Sequence, residues 1–142
     1  MSRKRIPSAI EARVRAAACY RCGYCLTPQS LLTWTLELEH LYPVALGGTD
    51  EEENLWLSCH ACNHFKRIQI QAYDPVTKRL VLLFNPRRQK WRRHFQWSLD
   101  GTEIMGRTAI GRATVLALKL NNTYAVTARR LWVSADWHPP QN

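Results

Sequence analysis

The chain has 142 residues and carries 20 lysines and arginines against 11 aspartates and glutamates, a net charge of +9. That length suits one compact domain with an appendage, or two very small ones, and the positive excess suits a polyanionic partner rather than a membrane. No apolar run reaches membrane-spanning length, and the basic residues 1–5 lack the apolar stretch of a secretory leader, so a soluble, cytoplasmic protein is expected.

Residues 1–6 read as a flexible basic arm. Ser8 and Glu11 have capping-box spacing and open a helix. Ile10, Val14, Ala17 and Ala18 recur on one of its faces to about Cys19. Cys19 itself reads as a buried helix residue, although its spacing to Cys22 also lets it compete as a ligand. Residues 20–24 form a tight turn bent at Gly23, and Thr27-Pro28 breaks the chain. Residues 31–38 alternate loosely, with Trp34, Leu36 and Leu38 on one side. They read as a strand delivering Glu39 and His40 at its end. Residues 43–50 are a loop with Gly47-Gly48 at its tip, residues 54–57 a second short strand, and residues 63–72 a helix.

Asp74-Pro75 closes this unit and sets a boundary between residues 1–72 and 73–142. Beyond it, residues 80–84 read as a strand. Residues 94–99 and 102–105 form a hairpin across Asp100-Gly101, and residues 108–120 a helix. Asn121-Asn122 stops that helix and caps a last one at residues 124–133. The class is α+β: a mixed core with an N-terminal helix, then an extension of a small antiparallel sheet and two helices.

The extension is basic. Between residues 78 and 93 no acid occurs, and Arg87, Arg88, Lys90, Arg92 and Arg93 are its densest part. Trp91, His94, Phe95 and Trp97 are threaded through or just beyond them. A basic run alone is more often a solvated face, but arginines with interleaved aromatics suit phosphate contact combined with stacking. The extension, with Arg107, Arg112, Lys119, Arg129 and Arg130 on its helices, is expected to clamp nucleic acid. Trp97 and Trp132 are expected in the core.

In a reducing compartment, paired cysteines read as metal ligands rather than disulfides. Cys22 and Cys25 form one Cys-x-x-Cys turn, Cys59 and Cys62 another. Two such turns can fold back so that four thiolates meet tetrahedrally around Zn2+. A site closed by four sulfurs leaves no open position, so this zinc is structural.

Between and beside the cysteine pairs lie Glu39-His40-Leu-Tyr-Pro43, Gly47-Gly48, Asn54-Leu55 and Cys59-x-x-Cys62-Asn63-x-x-Lys66. Over roughly residues 19–68 this ordered set resembles the HNH endonucleases. The resemblance implies a ββα-metal core with zinc knuckles. It implies hydrolysis of DNA, double-stranded by expectation, with one divalent ion and with 5′-phosphate and 3′-hydroxyl ends. It implies His40 as the general base and Glu39 and Asn63 as ligands of a catalytic Mg2+ or Mn2+. Asn54 would orient the histidine and hold the loop, while Lys66 and the adjacent Arg67 would face the phosphates.

Physical chemistry agrees with these roles. Histidine titrates near neutrality, and a hard cation takes oxygen ligands, few of them from protein. Glutamate at position 39 and asparagine at position 63 depart from the commonest family pattern. His64 is the alternative ligand, and His60 is expected beside the site or facing phosphate. The competing class is a zinc-containing nucleic-acid-binding module without catalysis. Whether the chain acts as monomer or homodimer is not written in the motif.

Overall fold

The computed structural model describes residues 5–141, so the basic arm expected at residues 1–6 lies mostly outside the described residues. Five helices and six short strands follow one another among them. The helices are α1 (Ser8–Ala17), α2 (His60–Lys66), α3 (Trp91–His94), α4 (Ala109–Ala117) and α5 (Thr123–Ser134). The strands are β1 (Glu37–His40), β2 (Leu55–Ser58), β3 (Gln71–Tyr73), β4 (Leu80–Leu82), β5 (Phe95–Trp97) and β6 (Ile104–Gly106). Each strand pairs with its sequence neighbour, β1 with β2, β3 with β4 and β5 with β6, all antiparallel. The protein is therefore a mixed α and β structure with small antiparallel sheets.

Two-stranded ribbons of this length do not stand alone in water, so each must be held by something packed against it. One hydrophobic cluster does much of this. It runs from Val14 of α1 through Tyr24, Leu55 and Leu57 to Phe84, Phe95, Ile104 and Leu118. Phe84 sets its ring edgewise against both Tyr24 and Phe95, at centroid distances of 6.5 and 5.0 Å. Residues on both sides of Asp74 thus share apolar contacts.

Several expected elements are differently placed, each for a visible reason. Helix α1 takes Pro7 as its N-cap, which fixes the entry angle without any side-chain cap, and Ser8 lies inside the helix. Glu11 pairs instead with Arg15 one turn on. Cys19 is exposed, not buried: α1 ends at Ala17, and Cys19 and Tyr20 both adopt positive φ to turn the chain into the first knuckle. Gly23 is there for space, since a Cβ would press on Trp56 and Pro86.

The strand expected over residues 31–38 is only β1. The Gln29 side chain closes the preceding loop, accepting from Leu36 N and donating to Trp34 O, which leaves Trp34 74% exposed. The helix expected at residues 63–72 starts earlier, at His60, and stops at Lys66 because Arg67 has a φ of 52°. Residues 71–73 then become β3. The Asp100-Gly101 hairpin forms as expected, with Gly101 at a φ of 77° and Asp100 accepting from Ser98 and Thr102. Asn122 caps α5 through Ala125 N at 3.0 Å.

Candidate metal centre and active site

The thiol sulfurs of Cys22, Cys25, Cys59 and Cys62 lie within 4.8 Å of one another, and all four residues are buried. The elements explain the convergence. Cys22 and Cys25 sit on the turn after α1, and Gly23 N donates to Leu57 O of β2 at 2.9 Å, which ties that turn to the strand leading into the second pair. Cys59 caps α2 with its sulfur, accepting from Cys62 N at 3.4 Å. Hydrogen bonds from Cys22, Cys59 and Cys62 hold the Cys25 thiol well below its ordinary pKa, with burial opposing. Burial pushes Cys22 up, and sulfur hydrogen bonding pushes Cys62 up. Such a pocket wants negative sulfur but cannot carry four thiolate charges by itself, and a zinc dication satisfies it. The donor set fits zinc by sulfur type, number and spacing.

Of the two candidate oxygen ligands, strand β1 carries Glu39 and helix α2 carries Asn63. Residues two apart share a face, so Glu37 and Glu39 lie on the same side. Glu39 is 3% exposed. Its Oε1 accepts from the Tyr24 hydroxyl at 2.9 Å and pairs with Lys66 Nζ at 2.9 Å. Its Oε2 is buried and has no hydrogen-bond partner among the described residues. Burial raises the Glu39 pKa, while Lys66 pulls it back. Burial and the neighbouring Glu39 push the Tyr24 phenol well up, which keeps it a donor.

Glu37 meets α2. Its Oε1 accepts from Asn63 Nδ2 at 2.9 Å, and its Oε2 lies 2.9 Å from His60 Nδ1. A carboxylate only accepts, so Glu37 fixes the Asn63 amide by its nitrogen, and Oδ1 makes no hydrogen bond with other described residues. His60 and His64 are exposed and stack one turn apart, 6.2 Å between centroids.

His40 follows Glu39 at the end of β1, near enough for its charge to act on that carboxylate. Its Nε2 lies 2.7 Å from Asp50 Oδ1. That bond places the proton on Nε2 and leaves Nδ1 with a lone pair. Asn54 accepts from Tyr42 N and donates to Tyr42 O and Thr49 O. It therefore ties the loop between His40 and β2, whereas the partner at the imidazole is Asp50.

The basic residues divide. Lys66, expected to face phosphate, is buried beside Glu39 because the acid is there to be neutralised. Arg87, expected on the clamp, donates through Nε and Nη2 to Leu55 O and lies over the Trp56 ring. Arg129 is 2% exposed and donates to the carbonyls of Thr102 and Leu120. Arg112 forks onto Asp74. Arg67, Arg88, Lys90, Arg92 and Arg93 are exposed. Trp97 and Trp132 are half-buried, and both meet His138.

Asp50 and Glu37 are the residues that motif reading missed. Asp50 lies in an acidic run that reads as solvated charge. Glu37 was accessible through strand periodicity, because it sits two residues before Glu39.

Residues 22–67 match the family model of the HNH endonucleases. No curated protein and no solved structure matches the chain. Among the described residues, no helix is long and apolar enough to cross a membrane.

Proposed function

We propose, on the premise that residues 22–67 form an HNH endonuclease domain, that the protein is a metal-dependent endonuclease that cuts the phosphodiester backbone of DNA. The observation that carries this reading is the Asp50–His40 pair beside a buried carboxylate with one unsatisfied oxygen. Burying a lone carboxylate oxygen is costly unless something meets it. Asn63 Oδ1 and Glu39 Oε2 are both without a hydrogen bond to other described residues; two such oxygen donors suit a hard cation, and Glu39 and Asn63 would hold it. Bound there, Mg2+ or Mn2+ would supply charge stabilisation for the scissile phosphate and the leaving oxygen.

The remaining steps belong to the chain. Asp50 orients the imidazole and stabilises its protonated form. His40 Nδ1 takes a proton from the attacking water, whose oxygen bonds to phosphorus as the P–O3′ bond breaks. The departing O3′ takes a proton from solvent water, so the products are a 5′-phosphate and a 3′-hydroxyl. Asn54 fixes the loop between His40 and Asp50. The strand–strand–helix unit β1, β2 and α2 corresponds to the ββα-metal core, which a zinc ion on Cys22, Cys25, Cys59 and Cys62 would pin; residues 1–72 are that core and residues 73–142 its basic extension, and their described residues share one apolar cluster.

One observation favours the non-catalytic module instead. Lys66 already neutralises Glu39, so that carboxylate does not demand a cation. Plasmid nicking with Mg2+ or Mn2+, beside His40→Ala, separates the two. The enzyme reading expects His40→Ala to lower the rate by about 10^2- to 10^4-fold with DNA affinity unchanged. Equal nicking by both proteins, or binding without nicking by either, ends it.

A further inference from the structure

A cavity of about 590 Å³ adjoins the candidate active site and has Asn54 on its wall. Leu41 and Tyr42, the two residues after His40, line it, and so does Lys66, which holds Glu39. Its volume lies within the range of roughly 300–1,000 Å³ that small-ligand sites occupy.

The lining is apolar and aromatic inside and polar at one edge. Phe84 is buried there, and Ile70 and Ile110 are half-buried. Tyr42 remains 47% exposed and Leu82 64% exposed. At the polar edge, Asn85 Oδ1 accepts from Arg87 N and Arg88 N, and Gln89 Oε1 accepts from Asn85 N. Both amides are thus pinned through their oxygens and keep their NH2 groups free to donate. Glu53 adds an acceptor. The Arg88 guanidinium is exposed and forms no hydrogen bond or ion pair with other described residues.

An apolar pocket with an exposed tyrosine on its wall, mixed donors and acceptors beside it and an unpaired arginine suits a nucleobase with its phosphate. Every base has a face that stacks on aromatic side chains and an edge of donors and acceptors. We propose that this cavity receives the base of one DNA nucleotide turned out of its stack near the cut, with Arg88 on that nucleotide's phosphate. The proposal rests on the nuclease reading and narrows its substrate. Unstacking costs least where a base is unpaired or mismatched, so such DNA is preferred over a perfect duplex.

The test uses the full chain, no added divalent ion, and three labelled duplexes: fully paired, with a single unpaired base, and with an abasic site in place of that base. The unpaired base is expected to strengthen binding about tenfold over the paired duplex, and the abasic site to lose that gain. Leu82→Trp, which fills the cavity from an exposed position, should erase the preference. Gln89→Glu keeps the acceptor for Asn85 N, removes the free amino group, and should weaken the preference.

Three duplexes bound within twofold of one another would overturn the proposal. So would an abasic duplex bound as well as the unpaired base, since bending would then be recognised rather than the base. A preference that survives both variants would overturn it too. Because no cutting is involved, the arms separate from the nuclease reading. Nicking with a flat binding series removes the cavity proposal alone, and a base preference without nicking removes the nuclease alone.

Discussion

The two halves of the molecule hold equally short ribbons by different means. In residues 8–66, β1 and β2 are joined to α2 and to the turn after α1 through four sulfurs brought together in a buried pocket. In residues 73–141, no such cage occurs among the described residues, and charged and amide side chains do the joining. Asp74, fully buried, accepts from Arg112 Nε and Nη2 at 2.8 and 2.9 Å and from Thr77. Arg129 reaches the carbonyls of Thr102 and Leu120, and Asn121 brackets Ile104 through both its N–H and its C=O. A cage concentrates its hold in one ion. A polar lock spreads it over residues far apart in sequence. The first half should therefore fail all at once, and the second by degrees.

The largest expected effect follows directly. The chain should contain one tightly held zinc. Structural zinc contributes about 10–16 kcal/mol of apparent binding free energy in small zinc modules, comparable to the whole stability of an ordinary domain. Strong chelation, or Cys62→Ser, should abolish the cooperative folding of residues 8–66, read by circular dichroism with released metal measured in parallel. A melting curve unchanged after complete zinc removal would break the comparison at its root.

The next effect probes the polar lock. Asp74→Ala leaves Arg112 without its partner and should lower the thermal midpoint by roughly 5–10 °C. The lock also has a pH signature. Hydrogen bonds from Arg112, with smaller ones from Thr77 and Val76, hold the Asp74 pKa well below the usual carboxylate range. The folded state therefore binds fewer protons than the unfolded state. Its contribution is complete above about pH 4 and drains away as the pH falls toward the folded value. The wild-type midpoint should drop over that acid range more steeply than that of Asp74→Ala. Parallel curves would show that Asp74 does not lock the second half.

The same contrast explains what the sequence displays. Cys22, Cys25, Cys59, Cys62, His40 and Asn54 stand at short, fixed spacings because a cage and a loop latch need them there, and such spacings survive in one dimension. The Asp100-Gly101 turn and the Asn122 cap were legible for the same local reason. The Asp74–Arg112 pair was not, since nothing in either neighbourhood points to the other. Nor was the burial of Arg129, which reads as one more cation until Leu120 and Thr102 surround it. Strand β1 was drawn too long because Gln29, outside the strand pattern, closes the loop that alternation alone would extend. The phosphate role of Lys66 is what the family resemblance implies, and only the fold brings Glu39 beside it.

Glu37 sharpens the comparison at the candidate active site. If it fixes the Asn63 amide, Glu37→Gln lets that amide turn over, since glutamine both donates and accepts. Partners of this kind change metal affinity by about 10- to 100-fold. The expected result is weaker Mn2+ binding, followed by the paramagnetic signal of the free ion, with the structural zinc retained and Glu37→Asp recovering part of the affinity. Equal Mn2+ binding by wild type and Glu37→Gln would leave Glu37 a mere helix contact.

The smallest expected effects lie where the two halves meet. Arg87 and Arg88 are neighbours in the same basic run, yet the fold separates them. Arg87 spends its guanidinium on Leu55 O and the Trp56 ring, so it stitches the extension to β2. Arg88, Arg92 and Arg93 are exposed, and the Arg92 guanidinium reaches, among the described residues, only the Gln141 carbonyl at 3.3 Å. Each phosphate contact contributes about 0.9 to the slope of log affinity against log salt. Replacing Arg88, Arg92 and Arg93 together by alanine should flatten that slope by roughly 2–3 and leave the melting midpoint nearly unchanged. Arg87→Ala should do the reverse, lowering the midpoint and leaving the slope alone. A full unit of slope lost in Arg87→Ala, at constant midpoint, would return that arginine to the DNA and leave Trp91, whose indole donates to Tyr24 O at 2.8 Å, as the main polar tie between the basic stretch and the first knuckle.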